Sequence, residues 1–145
     1  MIIRELLIEE VNDFKSDILS DQFLADALNE ADLTSTRIFT AIVDNEVVGY
    51  IAYDKYTLSS SCICFFYIKP QYRRKGYGKQ LLRKLTEKLK KHNSCIYGFV
   101  NIYNKPAYNF YKKYYQFYGN ITEHDEVEVI FYLEERRFYN ERSND

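Results

Sequence analysis

A chain of 145 residues with 46% hydrophobic and 28% charged residues has the composition of a single globular domain, not of a disordered or fibrous chain. No run approaches the roughly 20 apolar residues of a membrane span, and the N-terminus, MIIRELLIEE, turns acidic at once, unlike a signal peptide. A cytoplasmic protein without a membrane partner is expected, its core spanning about residues 2–133 and a polar tail following at 134–145.

In chain order, IIRELLI (2–8) predicts a first strand of branched apolar residues. From Val11 to Asp32, Phe14, Ile18, Leu19, Phe23, Leu24, Ala27 and Leu28 recur at helical spacing, and Ser20-Asp21 divides the stretch into two short helices. RIFTAIV and EVVGYIAYDKY follow as two strands joined at Asp44-Asn45, a pair that accepts the backbone of a tight hairpin turn. After a Ser-rich turn, CICFFYI is apolar on both faces and belongs in a sheet centre, ending at Pro70. A helix from about Gly76 to Lys91 carries Leu81, Leu82, Leu85 and Leu89 on one stripe. SCIYGFV then returns as a strand, so this part reads as a right-handed parallel β-α-β unit. A helix from Asn104 to about Tyr115 and a last strand at 127–133 complete the order β-α-α-β-β-β-α-β-α-β, with one more short strand near Phe117. The fold class is α/β (α+β), with a mixed sheet of six or seven strands and about four helices.

The net charge of −1 hides a segregation. Residues 1–68 carry 4 basic and 12 acidic side chains, residues 69–113 carry 13 and 1, and residues 114–145 carry 3 and 8. The acidic flanks argue against a general nucleic-acid binder, but a local anion site needs only a local field. Cys62 and Cys64 share a strand and Cys95 stands alone, a poor zinc pattern, so no metal is expected.

The basic excess gathers around YRRKGYGKQLL (residues 71–81), immediately ahead of a helix. A helix start offers unpaired N–H groups and the positive end of the macrodipole, and both favour anions. Gly76 and Gly78 let a ligand approach the backbone closely, while Arg73, Arg74, Lys75 and Lys79 add charge. A pyrophosphate suits this concavity. Neither the P-loop nor the G-x-G-x-x-G dinucleotide pattern is present.

Arg73-Arg74-Lys75-Gly76-Tyr77-Gly78 resembles the R/Q-x-x-G-x-G/A signature of the GNAT superfamily of N-acetyltransferases, and FFYIKPQYRRKGYGKQLL resembles its strand-proline-signature block. Asn104, Ala107 and Tyr111 reproduce that family's N-x-x-A-x-x-x-Y pattern, and VDNEVVGYIAY its hairpin. The resemblance covers about residues 2–133. It implies an acyltransferase of EC class 2.3.1 that moves an acetyl group from acetyl-CoA, as co-substrate, to a primary amine of a small molecule or protein by direct attack.

By the same resemblance the pyrophosphate lies on the amides of residues 74–79, Tyr77 among them. Pantetheine pairs with backbone at Phe66 and Ile68, and an N–H near Ile68 polarises the thioester carbonyl. Asn104 caps its helix beside the cofactor. Tyr111 contacts the cofactor and protonates the leaving thiolate, a phenol pKa near 10 against a thiol pKa near 8.5. The family often has Gly-Phe four residues after this tyrosine, where Tyr115-Gln116 stand here. The strand CICFFYI lacks the acidic base of many relatives, so Asp54, Tyr67 and a water chain all stay open as the base. The acidic residues Asp17, Asp21, Asp26, Glu30 and Asp32 attract a cationic amine or simply face solvent. A catalytically idle acyl-CoA-binding module is the alternative, an acyl group larger than acetyl is compatible, and a homodimer stays open.

Overall fold

The computed structural model describes residues 1–114 and 116–133. Tyr115 and the expected tail at 134–145 lie outside the described residues. Seven strands, β1 (Ile2–Glu5), β2 (Arg37–Val43), β3 (Glu46–Thr57), β4 (Ser60–Ile68), β5 (Cys95–Asn101), β6 (Gln116–Ile121) and β7 (Glu126–Tyr132), alternate with four helices. The helices are α1 (Val11–Leu19), α2 (Ala25–Glu30), α3 (Tyr77–Leu89) and α4 (Lys105–Tyr114). The strands hydrogen bond in the order β1-β2-β3-β4-β5-β7-β6, which puts the doubly apolar β4 at the centre, as its composition predicts. The element order agrees with the sequence reading, and the short strand near Phe117 is β6.

Local chemistry explains most boundaries. Asp44 and Asn45 take φ of 51° and 66°, the left-handed pair of a two-residue hairpin turn between β2 and β3. The break between α1 and α2 forms where the Asp21 carboxylate accepts the Phe23 N–H at 2.8 Å. The last turn of α3 closes when the Asn93 side chain donates to the Leu89 carbonyl at 2.9 Å, two residues short of the Lys91 expected from sequence.

β1 is shorter than the apolar run 2–8 predicts, because Glu10 captures the chain beyond it. Its carboxylate accepts the Leu7 N–H at 3.0 Å and both Arg4 Nη groups at 2.6 and 3.0 Å, drawing Ile8–Glu10 into a 3₁₀ turn. The Arg4 hydrogen bonds, then the Leu7 N–H, hold the Glu10 carboxyl below its ordinary 4.5 even though partial burial opposes them. A lowered folded pKa stabilises above the ordinary value and is lost as pH falls through the lowered one. Glu10→Gln should therefore lower the melting temperature at pH 7 by about 2 °C, as expected of a partly exposed pair. The gap between the two proteins should close in acid. A gap that persists at pH 2 would show that the pair's charge is not its source.

The described residues form two compact units, Met1–Asp54 with Ile63–Glu87, and Lys55–Cys62 with the described residues from Lys88 onward. In the first unit, Phe14 and Ile18 of α1 are buried on Tyr50, Ala52, Phe65 and Tyr67 of β3 and β4. The Phe14 ring stands edge-on to Tyr50 at 5.2 Å and to Phe65 at 5.7 Å. Such aromatic burial is worth about 1.5–3 kcal/mol per ring. Leu81, Leu82, Leu85 and Leu89 form the buried stripe of α3 that their spacing predicts. In the second unit, parallel pairing joins Ser60–Cys62 to Cys95–Tyr97, and β5 pairs antiparallel with β7 from Cys95↔Tyr132 to Asn101↔Glu126. Ile96, Val100, Val127, Val129 and Ile130 are buried there. Among the described residues no helix is long and apolar enough to cross a membrane. None of the three cysteines forms a disulfide among the described residues.

Candidate active site

The loop from β4 to α3 is built by short-range bonds. The Lys69 N–H donates to the Val48 carbonyl at 2.8 Å, fastening the loop's start to β3. Pro70–Tyr72 makes one 3₁₀ turn, helped by the fixed φ of proline at its first position. Arg74 and Gly76 then adopt φ of 63° and 80°. Left-handed residues are an ingredient of the backbone concavities that bind anions, in which successive amides point to one side. The Gly76 carbonyl accepts the Gln80 N–H at 3.2 Å, so helical bonding begins at Gly76. Amides in the first turn of a helix have no partner within it.

The loop's side chains are arranged in a way the sequence does not disclose. Arg73 turns back toward β4: its Nε donates to the Ile68 carbonyl at 2.8 Å and its guanidinium covers the Tyr67 ring at 5.4 Å. Tyr72 donates its hydroxyl to Glu46, which with partial burial raises the phenol pKa, and the Lys75 ammonium lies over the Tyr72 ring at 5.9 Å. The Tyr72 and Tyr77 rings approach to 6.5 Å. Two of the cations expected around the anion thus also brace the loop. Arg73, Arg74, Lys75, Gly76 and Lys79 are exposed, and Tyr77 and Gly78 are half-buried.

Gly49 of β3 is a residue that sequence reasoning passes over. A Cβ there would lie 2.3 Å from the Tyr67 carbonyl oxygen and 2.8 Å from Ile68 Cδ1. Only a glycine lets β3 come this close to the end of β4. Phe66 and Ile68 are half-buried on β4, beside the buried Phe65 and Tyr67.

In the second unit, Asn104 caps α4 as its position predicts, its side-chain oxygen accepting the Ala107 N–H at 3.4 Å and its carbonyl the Tyr108 N–H at 2.8 Å. Tyr111 is 8% exposed, with the Phe110 ring edge-on at 5.6 Å. Burial first, and Cys62 second, push its phenol well above the ordinary 10. The gap to a thiol near 8.5 is therefore wider than for a solvated tyrosine.

Of the candidate bases, Tyr67 is buried with its hydroxyl 3.4 Å from Ser20 Oγ. Asp54 accepts the Cys64 thiol proton at 3.1 Å, and its other oxygen is buried without a hydrogen-bond partner. Phe66, Ile68 and residues 73–79 belong to the first unit, and Asn104 and Tyr111 to the second.

The sequence profile described as the acetyltransferase (GNAT) family matches residues 3–117. The chain belongs to the GNAT acetyltransferase family. Solved GNAT structures share its fold at low identity. The GNAT acetyltransferase of Elizabethkingia anophelis, with acetyl-CoA bound, superposes with a TM-score of 0.72 at 16% identity, covering 91% of this chain and 97% of the other. The PaiA N-acetyltransferase of Thermoplasma acidophilum, in complex with coenzyme A, gives 0.71 at 17% identity, covering 90% and 98%. A curated relative, probable N-acetyltransferase 14 of Danio rerio, is 28% identical over 90 residues, 61% of this chain. That match spans 32% of the relative's length.

Proposed function

We propose that this GNAT domain is an N-acetyltransferase, which transfers the acetyl group of acetyl-CoA to a primary amine by direct attack. The observation that carries the reading is the 73–76 loop, whose two left-handed residues lead into the start of α3. The acetyl-CoA and coenzyme A bound to the two structural neighbours support the choice of anion.

In this reading the pyrophosphate rests on amides of residues 74–79, Arg74 and Lys79 adding charge, and pantetheine runs along Phe66 and Ile68. Arg73, engaged with Ile68 and Tyr67, shapes the loop as much as it attracts the phosphate. The acceptor loses one proton to solvent and its neutral nitrogen attacks the thioester carbon. The C–N bond forms, the C–S bond breaks, and the second nitrogen proton reaches sulfur through the Tyr111 hydroxyl. Because burial raises the Tyr111 phenol, the group acts by handing on a proton as it receives one, not by dwelling as phenolate. Tyr111→Phe should leave acetyl-CoA affinity within about threefold and lower kcat by about 100-fold, the usual share of general acid catalysis. An unchanged kcat would remove Tyr111 from the chemistry.

Calorimetric titration with acetyl-CoA, desulfo-CoA and ATP tests the cofactor site directly. Both CoA compounds should bind and ATP should not, and release of free thiol in the presence of an amine should follow. Binding without transfer to any amine would instead support an acyl-CoA-binding module, the reading that the absence of an acidic residue from Ser60–Ile68 favours.

A further inference from the structure

A mixed charge cluster sits beside the end of β4, wholly within the first unit. Asp17, in the last turn of α1, accepts the Tyr50 hydroxyl on Oδ2 at 2.9 Å and has Lys69 Nζ 3.6 Å from the same oxygen. Its main-chain carbonyl accepts the Ser20 hydroxyl, which lies 3.4 Å from Tyr67 OH. Arg73, over the Tyr67 ring, adds a second cation. Tyr67 and Lys69 flank Ile68, along which the proposed function runs pantetheine and near which the family resemblance sets the thioester carbonyl. Of the acidic residues in the first segment, Asp21 and Asp32 are taken up by the local turns at Phe23 and Thr34, whereas Asp17 is joined to β3 and to Lys69.

The Asp17–Lys69 pair is not saturated. An ammonium–carboxylate hydrogen bond measures about 2.7–2.9 Å, so 3.6 Å leaves the three Lys69 donors short of a close partner. Asp17 Oδ1 has no hydrogen-bond partner among the described residues. Both side chains remain reachable, with 27% of Asp17 and 24% of Lys69 exposed. An acceptor oxygen and a set of donors therefore stand side by side with complementary charge. A simple amine or a polyamine entering here would bring its cation against Lys69 and Arg73. A molecule with an ammonium and a carboxylate a few bonds apart meets both partners at once, and its own charges replace those of the pair.

We propose that the acceptor is a zwitterionic amine of the amino-acid class, its ammonium held by Asp17 and its carboxylate by Lys69 with help from Arg73. This inference rests on the acetyltransferase reading. The test therefore begins with acetyl-CoA calorimetry, which reports on that reading before any acceptor is added. Transfer is then measured for free amino acids, their methyl esters, the matching decarboxylated amines and spermidine. The wild type should favour the free amino acid over its ester by about tenfold or more in kcat/KM, the usual worth of a charge-assisted hydrogen bond. Lys69→Met should erase this preference by raising KM for the amino acid, and Lys69→Arg should restore much of it. Equal or better transfer to the ester, the amine or spermidine would overturn the proposal. So would a Lys69→Met variant that slows amino acid and ester alike, or a protein that binds acetyl-CoA yet acetylates no amino acid. Absence of acetyl-CoA binding would overturn the function and this inference together.

Discussion

Gly49→Ala should lower the stability of the protein by about 3 kcal/mol or more, as expected when an added methyl is forced into a packed interior. For a chain of this size that is a fall in melting temperature of roughly 10 °C. Alanine in place of glycine restricts the unfolded chain and by itself would stabilise by about 0.4–1 kcal/mol. At Gly49 the contact term wins, because the new Cβ would meet the Tyr67 carbonyl oxygen at 2.3 Å and Ile68 Cα at 3.1 Å. Both are backbone atoms, which no rotamer change can move aside. Relief requires the end of β4 to shift, and with it the Lys69 N–H bond to Val48 and the Arg73 bond to Ile68. Acetyl-CoA affinity should therefore fall as well. Denaturant unfolding followed by calorimetry would check both effects, and a melting temperature within about 2 °C of wild type would show that β3 and β4 do not need this close approach.

Gly76→Glu should abolish acetyl-CoA binding while leaving a folded protein. A Cβ at Gly76 meets nothing within 4 Å, so the position has space, and its need for glycine comes from φ of 80°. Holding an L-residue in that region costs about 1–2 kcal/mol, a loss that alanine and glutamate share. Only glutamate sets a carboxylate where the pyrophosphate would lie, and juxtaposed like charges cost several kcal/mol. Gly76→Ala is thus the control: slightly less stable, but still binding. If both variants bind acetyl-CoA equally well, the loop is not the phosphate site. If neither binds, the loop's backbone shape, not charge repulsion, decides affinity.

The features legible in the sequence are those whose physics is local. Asp44-Asn45 announces its turn because two adjacent residues must adopt positive φ. Asn104 announces the start of α4 because a cap acts on amides three and four residues ahead. The loop proposed to bind the pyrophosphate is legible for the same reason, since glycine, cations and a helix start lie within one short stretch. β4 could be placed at the sheet centre because a strand apolar on both faces has no other favourable position. β1 was overestimated, because Glu10 and Arg4 meet across six residues with no periodic signal.

Tertiary structure alone decided which side chains surround that loop. Tyr72 meets Glu46 across 26 positions and Tyr50 meets Asp17 across 33. Gly49 matters through Tyr67 and Ile68 of the next strand, 18 and 19 positions further along the chain. Such contacts depend on which strands are neighbours and which face each residue presents, and those follow from burial of the whole apolar surface, not from spacing along the chain. The sequence thus determined the glycines and charges of the proposed cofactor loop, and the family. Folding determined that Arg73 leans back on Tyr67, that Gly49 opens room for the end of β4, and that Asp17 and Lys69 stand together beside it.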